Sequence, residues 1–133
     1  IALSIKGEKE KTFSTIFHEY VHFLVDNNIG RTISPPWFNE GIAEYYELLQ
    51  IEDDRRATLG AVNHGHLRLL RQNKLIPLET FFNYNYHLLN LQTRETARIF
   101  YAQAWALIHY LLESDNGARK PQFDKFVNLI KNG

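Results

Sequence analysis

Cysteine and methionine are both missing from the 133 residues. The first absence rules out a disulfide framework and any thiolate metal site, and it leaves the compartment open. A charge excess of either sign is missing too. The 15 lysines and arginines stand against 15 aspartates and glutamates, so the basic footprint of a nucleic-acid or anionic-membrane partner is not there. No stretch comes near the roughly eighteen apolar residues that a bilayer-spanning helix needs. With no methionine even at position 1, and an opening that reads as mid-strand, the chain is expected to be one domain cut from a longer protein. Any signal peptide would then lie upstream.

What is present is the profile of an ordinary globular domain, 44% hydrophobic and 23% charged, in a length that supports one core. Ile1, Leu3 and Ile5 alternate with smaller or polar neighbours, so residues 1–6 are predicted to form a short half-buried strand. A helix follows over 12–26, where Phe13, Ile16, Phe17, Tyr20, Val21 and Leu24 make one apolar stripe. Asn27, Asn28 and Gly30 supply its stop. Pro35 and Pro36 exclude helix before them and open a second helix over 36–50. The charged residues 51–60 read as a surface loop, and a helix is predicted over 61–72. Pro77 opens a short turn or helix to 82, and 83–90 is aromatic and irregular. Thr93 begins the longest predicted helix, reaching 114. Its polar strip is only Glu95, Arg98, His109 and Glu113, so it should be the buried central element. Asp115, Asn116 and Gly117 end it, and a last helix covers 121–131. The fold class is mainly α: one compact helical domain over 1–133 with a short N-terminal strand.

The chemistry concentrates at His18-Glu19-Tyr20-Val21-His22, an H-E-x-x-H pattern. Two histidines at i and i+4 share a helix face, so both imidazoles can reach one ion. Zinc accepts such nitrogen ligands, and three protein ligands leave a fourth position for water. A glutamate beside the first histidine can take that water's proton. On a helical projection the apolar stripe centres near Tyr20 and Leu24, with His18, Glu19 and His22 on the other side. That placement excludes buried core histidines and is shared by a metal site and a merely solvated face.

The second helix, with Trp37-Phe38-Asn39-Glu40-Gly41-Ile42-Ala43-Glu44-Tyr45-Tyr46, puts Phe38, Ile42, Tyr45 and Leu49 on one face and Glu40, Glu44 and Glu47 opposite. An antiparallel return could bring Glu40 to the histidines. Gly41 costs up to about 1 kcal/mol relative to alanine in mid-helix, and a close approach of two backbones would account for it. H-E-x-x-H followed by W-F-N-E-G-x-A-E-Y resembles the gluzincin clan of zinc metallopeptidases, most of all the peptidase-MA-like domains of bacteria. The resemblance is strong over residues 12–50 and weaker over 97–113. It implies Glu40 as third zinc ligand, with Glu44 and Asn39 supporting the ligand histidines from behind. Because 17 residues (23–39) separate His22 from Glu40, one fewer than is usual in the aminopeptidase branch, Glu44 stays in reserve as ligand. Tyr101-Ala102-Gln103-Ala104 is similar to the Y-x-K-G segment of that branch, although its lysine and glycine are not reproduced. By that resemblance the Tyr101 hydroxyl would stabilise an oxyanion, and a plain core tyrosine is the other reading.

The remaining histidines carry less. His64 and His66 have i, i+2 spacing, which suits a solvated pair better than a second metal site. His87 lies among aromatics, and His109 reads as a structural hydrogen-bonding residue. The aromatics of 81–86 read as core filler. The expected function is zinc-dependent hydrolysis of a peptide or protein substrate, with His18, His22 and Glu40 as ligands and Glu19 as general base. In the clan a sheet-edge strand aligns the substrate, a part that only residues 1–6 could play here. A zinc-binding but non-catalytic protein-interaction module, and a structural bundle with a coincidental motif, are the alternatives. An intact Glu19 argues against the first and the paired second motif against the other.

Overall fold

The structure, a computed structural model, describes residues 2–30 and 34–132. It is mainly helical. Helix α1 (Ala2–Asn28) is followed by α2 (Pro36–Tyr46), a hairpin of β1 (Gln50–Asp53) and β2 (Arg56–Thr58), then α3 (His64–Gln72), α4 (Leu78–Asn83), α5 (Tyr86–Asn90), α6 (Arg94–Glu113) and α7 (Lys120–Asn132). The strand predicted at the N-terminus is not there: residues 2–6 belong to α1, and Ile1 lies outside the described residues. Three alternating residues are a weak strand signal beside a Lys- and Glu-rich run of good helix formers, which carries one helix through Gly7. At 27 residues α1, and not α6 with 20, is the longest helix.

The only sheet among the described residues is the antiparallel β1–β2 hairpin, with Gln50 opposite Thr58 and Ile51 opposite Ala57. It occupies the segment predicted as loop and cuts α2 short at Tyr46. Its residues are exposed on both faces, so no apolar alternation announces it. Asp53 holds the turn by accepting from the Arg55 backbone N–H at 2.9 Å and from Arg56 Nε at 3.0 Å.

Helices α2 and α6 form the centre. Phe38, Ala43, Phe100, Ala104 and Ile108 are almost wholly buried there. Gly41 lets the two helices meet: a Cβ at that position would lie 2.6 Å from Ile108 Cγ1 and 2.7 Å from the Ala104 carbonyl oxygen. The close approach expected at Gly41 is therefore real. Gln103, a buried polar residue on α6, spends both ends of its amide on the Ile76 backbone, at 3.0 and 2.9 Å. His109 donates from Nε2 to the Gly60 carbonyl at 2.9 Å, a structural bond as predicted. Helix α7 closes the aromatic side, where Phe123 and Phe126 pack on Phe38 and Phe126 on Trp37.

Helix α1 packs on α2 and buries Val21 and Val25. The apolar stripe predicted for it divides. Val21 turns inward, whereas Phe13, Ile16, Tyr20 and Leu24 are exposed, with Phe23 beside them. Their side lies opposite the histidines, and α2 can cover only one side of α1.

Candidate metal centre

Pro35, extended at φ −67° and ψ 146°, and Pro36 at the first helical position start α2 at a defined point, four residues before Glu40. Helix α2 then runs beside α1, bringing Asn39 and Glu40 to His22 and His18. The Nε2 atoms of His18 and His22 are 3.1 Å apart, and Glu40 Oε2 lies 3.7 and 3.4 Å from them. Three corners of a tetrahedron with bonds of about 2.0–2.2 Å lie about 3.3–3.6 Å apart. The three separations lie within about 0.2 Å of that range, so small adjustments of the side chains would suit a tetrahedral ion of zinc's size. These three residues form a group able to hold a metal ion.

Both imidazoles are braced from behind. His22 Nδ1 is 2.9 Å from Asn39 Oδ1, and His18 Nδ1 is 3.3 Å from Glu47 Oε2 and 4.0 Å from Glu44 Oε1. Carboxylate and amide oxygens only accept, so both Nδ1 atoms carry a hydrogen, and in the neutral imidazoles it is the Nε2 lone pairs that face the Glu40 carboxylate. With the histidines neutral, three electron-rich atoms converge within 4 Å, an arrangement that could hold a cation.

Without a metal, protons answer the same field. Burial is the largest influence on His18 and lowers its pKa. The Glu40 and Glu47 carboxylates and the charge of Glu44 outweigh burial and push His18 up to about 10. On His22 the Glu40 carboxylate exceeds burial and raises the pKa. Burial works to raise Glu40, but the two histidines and a hydrogen bond from Tyr86 bring it down to about 2. Glu47 is lowered, chiefly by His18.

Helix α1 leaves Glu19 exposed, next to His18. Tyr101 on α6 is half-buried; burial first, then the charges of Glu40 and Glu44, push its hydroxyl up to about 12. Glu44 has a second attachment, since its Oε2 is 2.6 Å from His66 Nε2, and the His66 ring lies against Trp105. His66 is thus half-buried in the network and not a solvated surface residue. Tyr86 is the other participant that the sequence pattern misses. Its hydroxyl donates to Glu40 Oε1 at 3.0 Å and accepts from Asn39 Nδ2 at 3.0 Å. It stands at the start of a five-residue helix, 46 residues from Glu40, and no local periodicity marks it. Of its neighbours, Phe81 and Tyr84 pack on Phe100 as the predicted core filler, whereas Phe82 is exposed.

A family model described as a protein of unknown function (DUF1570) matches residues 12–132. The chain belongs to the DUF1570 family. In this DUF1570 chain the matched span takes in the whole histidine–glutamate cluster, from His18 on α1 to Tyr101 on α6. No curated protein and no solved structure matches it. Among the described residues, no helix is long and apolar enough to cross a membrane.

Proposed function

We propose that this chain is a zinc-dependent peptidase of the gluzincin type, acting on a peptide or protein substrate. The observation that carries the reading is the inward convergence of His18 Nε2, His22 Nε2 and Glu40 Oε2, with separations of 3.1, 3.4 and 3.7 Å. Zinc bound there would polarise a substrate carbonyl and lower the pKa of a water from 15.7 to about 7. Glu19, exposed beside His18, takes a proton from the attacking water and passes it to the leaving amine nitrogen. Tyr101 keeps its hydroxyl proton through the neutral range, so it is a hydrogen-bond donor to developing negative charge on the carbonyl oxygen.

The test is Glu19→Gln, which keeps the side chain's size and removes its basicity. Zinc content should equal that of the wild type, while peptide hydrolysis falls about 10²–10⁴-fold, the contribution of a positioned general base. Rates are compared at matched zinc content, because metal-free protein mimics a catalytic defect. Normal zinc with undiminished hydrolysis refutes the assignment of Glu19. The exposed apolar side of α1 (Phe13, Ile16, Tyr20 and Phe23) favours a second reading, a zinc-stabilised module that binds another protein. In that case the wild type holds zinc and cleaves nothing in a broad peptide library.

A further inference from the structure

We infer that Tyr86 is a positioning residue that sets both the coordination mode of Glu40 and the tautomer of His22; the inference rests on the metal-site reading above. It follows from counting donors. A phenol has one hydrogen. Glu40, held as a carboxylate, can only accept, so the Tyr86 hydrogen goes to Glu40 Oε1 at 3.0 Å. The Tyr86 oxygen is then left to accept, and the group 3.0 Å away must be the Asn39 NH₂. That fixes the orientation of the Asn39 amide and turns its Oδ1 to His22 Nδ1, 2.9 Å away. His22 must carry a hydrogen on Nδ1, so in the neutral ring its Nε2 faces the site as a lone pair. A single hydroxyl thus fixes the direction of every hydrogen bond from Glu40 round to His22.

The same bond divides the Glu40 carboxylate. Oε1 is committed to Tyr86, whereas Oε2 is the oxygen near both histidine nitrogens. Glu40 is thereby held to offer one oxygen and not two, which keeps a coordination position open. Helix α5 places the hydroxyl. Asn85 caps it by accepting from the Leu88 N–H at 2.8 Å, and buried Leu89 anchors it in the core.

Tyr86→Phe removes the hydroxyl and retains the ring. Tyr84→Phe is the control, since Tyr84 packs on Phe100 outside the cluster. Two readouts are taken: zinc affinity, and the ¹⁵N shifts of the His22 ring in metal-free protein at alkaline pH. The wild type and Tyr84→Phe should show His22 in the Nδ1–H form and bind zinc equally. Tyr86→Phe should bind zinc about 10–100-fold more weakly, as loss of an outer-shell partner does, and His22 should become a mixture of tautomers. Unchanged affinity and an unchanged tautomer in Tyr86→Phe overturn the role of Tyr86 and leave the metal site standing. A wild type that takes up no zinc overturns the metal site and, with it, Tyr86 as a metal-positioning residue, while the tautomer shift separately decides its hold on His22.

Discussion

Three glutamates crowd His18, and each meets it differently. Glu40 is the one whose free oxygen meets both imidazole Nε2 atoms; Glu47 lies at 3.3 Å behind His18; Glu44 lies 4.0 Å behind it and is tied to His66 at 2.6 Å. Substitution by glutamine should therefore be graded. Glu40→Gln removes an anionic ligand and should abolish zinc retention through gel filtration, because two histidines cannot hold a tetrahedral ion. Glu44→Gln removes a support and should weaken affinity about 10–100-fold. The opposite order in a zinc titration would move the third ligand one helical turn along α2.

At the level of elements, the contact between α2 and α6 sets the position of the face that carries Glu40. Gly41 follows Glu40 directly, and its missing Cβ is what lets α2 settle on Ala104 and Ile108. Gly41→Ala would gain up to about 1 kcal/mol of helix propensity. Against this, the new methyl meets the backbone oxygen of Ala104, which cannot rotate away, and overpacking of this kind costs about 1–3 kcal/mol or more. The expected outcome is a lower urea midpoint at unchanged m-value, with weaker zinc binding because α2 must shift relative to α1. A midpoint equal to or above that of the wild type would show that the two helices part without strain.

Across the whole molecule, a metal bound as proposed would compete with protons for one cluster, and their pH dependences would oppose each other. His18 is raised from 6.5 to about 10, so its contribution to stability is complete below 6.5 and disappears as pH rises through 10. Glu40 is lowered from 4.5 to about 2, so its contribution is complete above 4.5 and disappears as pH falls through 2. The metal-free cluster is thus most stabilising between 4.5 and 6.5. Zinc needs the histidines deprotonated, so its affinity grows with pH. Free zinc at 100 times its dissociation constant adds about 2.7 kcal/mol. The rise in melting temperature caused by zinc, measured against a chelator control, should therefore be small at pH 5.5 and large at pH 8. A rise that does not change with pH would place the ion away from His18 and His22.

Helical spacing in the sequence alone was enough to put His18 and His22 on one face of α1 and Glu40 on the polar face of the next helix. Residues four apart on a helix share a face whatever the helix packs on, so His18 and His22 needed no tertiary information. Gly41 announced a close contact because glycine in mid-helix is costly without one. The hairpin was not legible, since two exposed strands carry no apolar alternation, and neither was the helical state of 2–6, where three alternating residues compete with neighbouring helix formers. Only the fold could bring in Tyr86 and His66, which lie 46 and 22 residues from the glutamates they touch. Which side of α1 is buried was also a tertiary decision. A helix with apolar residues on one flank and histidines on the other can pack by either; α2 packs on the edge of Val21 and Val25, and the same packing brings Glu40 and Asn39 to the imidazoles.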